Sequence, residues 1–233
     1  TSKRRILEVN LFMKKVKRPY IILSAAMTID GKISSKIGDS ELSDEEDWKE
    51  IHKIRTQVDA IMVGKNTIFK DNPKLHIKFY QHKGYYRIVI DSNLSIPIDS
   101  QIINFEPEIY PTIICTTENV SENRVNRFKA RNVNIIKSGN KERVDLKILM
   151  EKLHELGIRT ILLEGGGNLN WSFLKEDLVD ELRIFVAPWI IGGKDSISLA
   201  EGEGFNKMIE APRFKLINVK QRENYIILNY KRR

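Results

Sequence analysis

Short apolar runs, separated by stretches of helical spacing, set the rhythm of this chain. Val58 to Val63, Arg87 to Asp91, Pro111 to Thr116, Val133 to Ile136 and Arg159 to Leu163 are rich in branched apolar residues. They are short enough for buried strands and too short for core helices. Between them, Trp48, Ile51, Ile54 and Val58 recur at helical intervals, which places His52 and Arg55 off that stripe. Ser43 with Glu46 forms a capping-box pattern, so a helix is expected to begin there. Thr67 and Asp71 stand four apart and share a face if one helical turn joins them, with Pro73 ending it. Ser121 to Ala130 and Asp145 to Leu156 read as further helices, the second stopped by Gly157.

The same alternation sharpens at residues 158 to 174. The apolar run ends at Glu164, then come Gly165, Gly166 and Gly167, and from Asn168 the apolar residues Leu169, Phe173 and Leu174 return at helical spacing. This predicts strand, glycine turn, helix. Such a turn lets main-chain N–H groups approach an anion, and the helix start adds unpaired donors and a partial positive charge. The spacing is not the GxGxxG fingerprint, so a merely tight connection stays open beside a phosphate site. An earlier strand, within residues 18 to 35, gives way to Thr28, Asp30 and Gly31, where Asp30 is either a strand-end acid or a turn residue.

Beyond the glycine turn, Leu182 to Ile191, Phe214 to Gln221 and Tyr225 to Tyr230 are strand-like with no long helix between them. They predict antiparallel strands added at one edge of a mainly parallel, twisted sheet flanked by helices, in an α/β fold. The segments GGKDS and EGEGF have the composition of surface turns, and no linker or repeat divides the chain. One domain over residues 19–233 is therefore expected.

Charge changes the picture only at the ends. The net charge of +8 suggests nucleic acid until it is located: seven cations against Glu8 lie in the first 18 residues, and the last three residues are all basic. The body is near neutral and shows no basic stripe interleaved with aromatics, so no nucleic-acid partner is expected. Residues 1 to 18 are expected to be a basic extension, disordered or foreign to the native protein, with Met13 a candidate native start. A hydrophobic content of 41% and charged content of 30% suit an ordinary soluble globular protein. No apolar run approaches the length of a membrane span. The single Cys115 lies in an apolar run and fits a reducing, cytoplasmic setting.

The four histidines, His52, His76, His82 and His154, lack an HExxH pattern and cysteine neighbours, so no metal is expected. Neither a nucleophile elbow nor a Walker loop is present. Strand ends bearing Asp30, Asp91 and Glu164, together with glycine turns, remain. They suit a phosphorylated ligand or a dinucleotide, with borrowed chemistry if the protein is an enzyme.

The series MTIDGK (27–32), HKIRTQVDAIMVG (52–64), TIFKDNPKL (67–75), RIVIDSNL (87–94), ILLEGGGNLNW (161–171) and FVAPWIIGGKD (185–195) resembles the riboflavin-pathway reductases. The resemblance is to their stand-alone archaeal type, related to the reductase half of bacterial deaminase-reductase fusions. It implies a dihydrofolate-reductase-like fold, a homodimer, and NADPH as hydride donor to a phosphorylated ribosylaminopyrimidine whose ribosyl group becomes ribityl. By similarity, Thr67, Asp71, Asp91, Ser92, Asn93, Leu94, Gly165, Gly166, Gly167 and Asn168 are expected to contact the cofactor. Ser40, Arg55, Leu75, Lys78 and Glu164 are expected on the substrate, with the Arg55 fork suited to its phosphate. Asp30 and Glu164 are the candidate proton carriers. Asn93 stands where relatives often carry a base, which keeps NADH as an alternative. The zinc deaminase of the fusions needs several cysteines, and this chain has one. A pterin or folate reductase of the same fold, and a non-catalytic nucleotide-binding module, are the alternative functions.

Overall fold

The computed structural model describes residues 17–233, so all but the last two residues of the expected extension lie outside the described residues. In chain order the elements are β1 (Tyr20–Thr28), β2 (Lys32–Ser34), α1 (Glu45–Arg55), β3 (Ala60–Gly64), α2 (Lys65–Asp71), β4 (Tyr86–Ile90), α3 (Gln101–Asn104) and β5 (Thr112–Thr116). There follow α4 (Glu122–Lys129), β6 (Asn134–Lys137), α5 (Leu146–Glu155), β7 (Thr160–Gly165), α6 (Gly167–Lys175), β8 (Glu181–Ala187), β9 (Ile197–Ser198), β10 (Phe214–Gln221) and β11 (Ile226–Arg232). The chain divides into two units. Of the described residues, one holds 17–21, Gln57–His76 and Lys83–Ile161, and the other holds Ile22–Thr56, Ile77–His82 and Leu162–Arg233.

In the first unit β3, β4, β5 and β6 lie side by side, all parallel, with Ala60 opposite Tyr86 and Arg87 opposite Thr112. Parallel strands joined by helical crossovers are buried on both faces, which is why their sequences are continuous apolar runs. Ile61, Met62, Ile88, Val89, Ile113 and Ile114 are all buried, and α4 and α5 add Val125, Phe128, Leu149 and Leu153 to the buried set. Each such side chain contributes about 1.5–3 kcal/mol on burial. The turn into β3 is pinned by Asp59, whose Oδ2 accepts from the amides of Arg159 and Thr160, both at 2.8 Å.

In the second unit the order is β10, β11, β8, β1. β11 is antiparallel to both β10 and β8, as expected for the carboxyl-terminal strands. β8 itself runs parallel to β1, from Ile22 opposite Glu181 to Thr28 opposite Ala187, so the antiparallel addition begins one strand later than the sequence pattern suggests. The strand expected over Leu182 to Ile191 stops at Ala187, because Pro188 has no N–H to continue the ladder. Trp189, Ile190 and Ile191 are exposed instead. Phe185, Ala187 and Ile227 form a small core against Ala26, Leu42 and Tyr225.

Helix α1 starts one residue later than the capping box predicts: Asp44 is the cap, accepting from the amide of Asp47 at 2.8 Å. Its buried face is also rotated. Asp47, Ile51, His52 and Arg55 are buried, whereas Trp48 is 44% exposed. Partners distant in sequence drive that rotation. Asp47 forms a buried ion pair with Arg183 of β8 at 2.5 Å, and Arg55 turns to Glu164 of β7.

Candidate active site

Strand β7 carries its apolar residues inward up to Leu163 and delivers Glu164 near its end. Both carboxylate oxygens of Glu164 accept from Arg55, from Nε at 2.9 Å and from Nη2 at 2.7 Å. This is a bidentate fork, the strongest common geometry for a guanidinium and a carboxylate. The Nε–Nη2 edge of the Arg55 guanidinium, the kind of planar edge that suits a phosphate, therefore faces Glu164. One turn back on α1, the His52 ring is 3% exposed and packs against the rings of Trp48 and Phe79, with centroids 6.0 and 5.0 Å away. Its Nδ1 accepts the amide N–H of Lys78 at 2.9 Å, and its Nε2 lies 3.4 Å from Arg55 Nη1. The Lys78 side chain, anchored through its backbone, stays exposed.

The glycine turn follows directly. Gly165 and Gly166 have φ of +59° and +88°, and Gly166 caps α6 with no side-chain hydrogen bond to the helix start. A helix N-terminus without a side-chain cap suits an anion. The absence of Cβ atoms has a second cause that sequence could not show. A Cβ on Gly165 would lie 2.2 Å from Asn170 Oδ1, and one on Gly167 would lie 2.5 Å from Glu201 Cγ and 2.6 Å from Ser198 O. Part of the triplet's smallness therefore serves packing. The segment expected as a simple surface turn is strapped to α6: Glu201 N donates to Gly167 O at 2.9 Å, Asn170 Nδ2 donates to Leu199 O at 2.8 Å, and Phe205 meets Trp171 edge to face. Asn168 begins the exposed side of α6, where its carbonyl accepts from Ser172.

At the end of β1, Asp30 is exposed and behaves as the turn residue of the two readings. Its Oδ1 accepts from Thr28 Oγ1 at 2.6 Å and Ile191 N at 3.2 Å, and its Oδ2 from Gly192 N at 2.8 Å. The Thr28 hydroxyl above all, helped by these amides, holds its pKa below the ordinary 3.8 against the opposing effect of burial. That favours a hydrogen-bond acceptor over a proton donor. Lys32 then reaches Ser196 O and Ser198 Oγ, tying β2 to β9. Ser40 sits exposed in the loop before α1, its carbonyl accepting from Leu42 N at 2.9 Å.

In the first unit, α2 does place Thr67 and Asp71 one helical turn apart, as the spacing predicts. Partial burial raises the Asp71 pKa, with Lys70 opposing. Asn72, rather than Pro73, ends the helix in a left-handed cap. Leu75 is buried with φ of +45°, and its carbonyl accepts from Tyr85 Oη at 2.7 Å. The neighbouring Lys74 carbonyl accepts from Arg87 at 2.9 Å. Arg87 is wholly buried on β4, and burial pulls its pKa down to about 10.

After β4 the run Asp91 to Leu94 turns inward. The buried Asp91 carboxylate accepts from the Ser95 amide and hydroxyl and from Ile96 N. The Ser92 hydroxyl accepts from Val144 N, and its carbonyl accepts from Thr116 and Thr117. Leu94 is buried with φ of +52°. Asn93 alone in this run has an exposed side chain. The Asp91 carboxylate thus shapes the turn, and Asn93 is its most exposed side chain.

Sequence reasoning missed His52, Arg87 and the Asp47–Arg183 pair. The i, i+3 spacing of His52 and Arg55 was the one local signal, because it puts both on a single face.

The chain matches the model of the RibD C-terminal domain over residues 19–228. It is 42% identical over 202 residues to the 2,5-diamino-6-ribosylamino-4(3H)-pyrimidinone 5′-phosphate reductase of Methanothermobacter thermautotrophicus, covering 85% of this chain and 91% of that one. The protein of the same name from Aquifex aeolicus is 37% identical, with 83% and 87% covered. The riboflavin biosynthesis protein RibD of Actinobacillus pleuropneumoniae is 36% identical over 93% of this chain and 57% of its own length. Among solved structures, the deaminase/reductase of Thermotoga maritima superposes with a TM-score of 0.80 at 23% identity, over 97% of this chain and 60% of that one. The riboflavin biosynthesis reductase Rib7 of Saccharomyces cerevisiae gives 0.71 at 22%, over 94% and 91%. The two structures speak for the fold, and this chain spans about 60% of the bacterial one.

Proposed function

The chain belongs to the RibD C-terminal domain family, and on that premise we propose that it reduces the ribosyl side chain of 2,5-diamino-6-ribosylamino-4(3H)-pyrimidinone 5′-phosphate to the ribityl form, in riboflavin biosynthesis. The observation that carries this reading is the buried Arg55–Glu164 fork at the end of β7, immediately before the uncapped start of α6. A polar pair next to an anion-binding helix end is what a charged cofactor and a phosphosugar need together.

A reductase of this family implies a nicotinamide cofactor. NADPH is our assignment, with NADH as the alternative because Asn93 offers no cation for a 2′-phosphate. When bound, the nicotinamide supplies the hydride, and the protein's task is placement and proton handling. Gly165, Gly166, Gly167 and Asn168 would hold the diphosphate through main-chain N–H groups. Thr67, Asp71, Asp91, Ser92, Asn93 and Leu94 keep the cofactor roles the resemblance implies, with the Asp91 carboxylate shaping its turn. Ser40, Leu75, Lys78 and Glu164 are assigned to the substrate. Arg55 keeps its assignment to the substrate beside the exposed Lys78, a second cation for the phosphate, and it also aims Glu164. Glu164 can accept from a substrate hydroxyl or N–H, and it stays with Asp30 as a candidate proton carrier, each carboxylate being held in place, Glu164 by Arg55 and Asp30 by Thr28 and the 191–192 amides.

A homodimer is part of the same reading. The exposed Leu216, Ile217 and Val219 of edge strand β10 are a surface that a second copy would cover. Among the described residues no helix is long and apolar enough to cross a membrane, and the cytoplasm is the compartment we assign. The test is spectrophotometric. Consumption of reduced nicotinamide with the ribosylaminopyrimidine phosphate, and none with dihydrofolate, is expected. Turnover with dihydrofolate alone would assign the chain to pterin chemistry, and nucleotide binding without turnover would make it a binding module.

A further inference from the structure

We propose that His52 is a positioning residue for the substrate side of this reaction, holding the segment that carries Lys78 in register with the Arg55–Glu164 pair. Lys78, Arg55 and Glu164 lie far apart in sequence, and His52 touches the first two while Arg55 reaches the third. The ring is buried, and aromatic contacts with Trp48 and Phe79 fix its plane. Its Nδ1 accepts the Lys78 main-chain N–H at 2.9 Å, which places the proton of the neutral ring on Nε2. That Nε2 edge faces Arg55 Nη1 at 3.4 Å, beside the guanidinium whose other two nitrogens hold Glu164. With the proton there, Nε2 and Arg55 Nη1 are two donors side by side, so the ring meets Arg55 by contact alone and holds the Lys78 amide by its hydrogen bond; a rigid, buried ring thus sets the spacing between an exposed cation and a nearly buried carboxylate. Phe79, next to Lys78, closes the arrangement by packing back on the same ring.

The chemistry distinguishes the two ends. An asparagine at position 52 can present its carbonyl oxygen where Nδ1 now lies and keep the Lys78 bond. A glutamine places its amide further out, toward Arg55, and leaves the Lys78 amide without that acceptor. If the loop end matters, His52→Asn retains function and His52→Gln does not.

This inference rests on the reading of Lys78 and Glu164 as substrate contacts, so Glu164→Gln is measured beside it. His52→Ala and His52→Gln are expected to raise KM for the ribosylaminopyrimidine phosphate about tenfold, the worth of one buried hydrogen bond. KM for reduced nicotinamide should stay within about twofold, and His52→Asn should restore substrate KM to within about threefold. Long-range ¹⁵N–¹H spectra should show the proton of His52 on Nε2. The proposal is overturned if His52→Asn is as impaired as His52→Ala, if both KM values rise together, or if the proton is found on Nδ1. Failure of the underlying reading looks different: Glu164→Gln then leaves substrate KM where the wild type has it. If Glu164→Gln raises that KM and His52→Ala does not, only the inference about His52 fails.

Discussion

Arg55 and Glu164 show how a side chain's role is set by what it faces. A guanidinium with a bidentate carboxylate partner is a scaffold, and removing half of a nearly buried pair leaves the other charge uncompensated. Arg55→Ala should therefore lower unfolding free energy by about 3 kcal/mol in chemical denaturation. It should also lower turnover, because Glu164 loses its aim. Asp47→Ala, which leaves Arg183 with Glu50 at 3.5 Å, should destabilise less than Arg55→Ala and without a specific effect on substrate KM. Asp30 gives the pH prediction at this scale. Its folded pKa lies below the ordinary 3.8, so its contribution is present above that value and is lost as pH falls through the lower folded one. Carboxyl ¹³C titration should give Asp30 a midpoint under 3.8, and Thr28→Val should move it up.

At the scale of elements, the glycines of β7 and α6 answer to geometry more than to composition. Gly157, after α5, has φ of +87° and open space around its missing Cβ. Gly157→Ala should cost only the backbone penalty of about 1–2 kcal/mol. Gly165→Ala adds a collision with the Asn170 amide 2.2 Å away and should cost clearly more in the same denaturation series. Equal losses at both positions would show that Asn170 moves aside freely. Helix α1 teaches the complementary lesson. Its apolar spacing points to Trp48, Ile51 and Ile54, yet Asp47, His52 and Arg55 are buried beside Ile51, because Arg183, the Lys78 amide and Glu164 are there to receive them. Hydrophobic periodicity is reliable only where polar residues have no distant partner.

For the molecule as a whole, each unit has its own logic. The first is a parallel βα array whose loops are shaped from inside, by Arg87 holding the Lys74 carbonyl and Asp91 gathering the amides after β4. The second carries the polar pair, the glycine turn and an edge strand with exposed apolar residues. If a second copy covers that edge, sedimentation should find a dimer, and Ile217→Lys should shift it toward monomer. An unchanged dimer would place the contact elsewhere.

The amino-acid sequence by itself determined the alternation of strands and helices, the parallel character of the first unit, the turn of three glycines after Glu164 and the family. These depend on local spacing and on short motifs in register, which a linear reading contains. Only the tertiary structure decided which face of α1 is buried, that Arg55 pairs with Glu164, that Gly165 and Gly167 are small partly to admit Asn170 and Glu201, and that His52 accepts from the Lys78 amide. Each of those outcomes depends on a partner at least 25 residues away in the chain or on a clash across a turn, and a hydrogen bond between such groups has no periodicity to read.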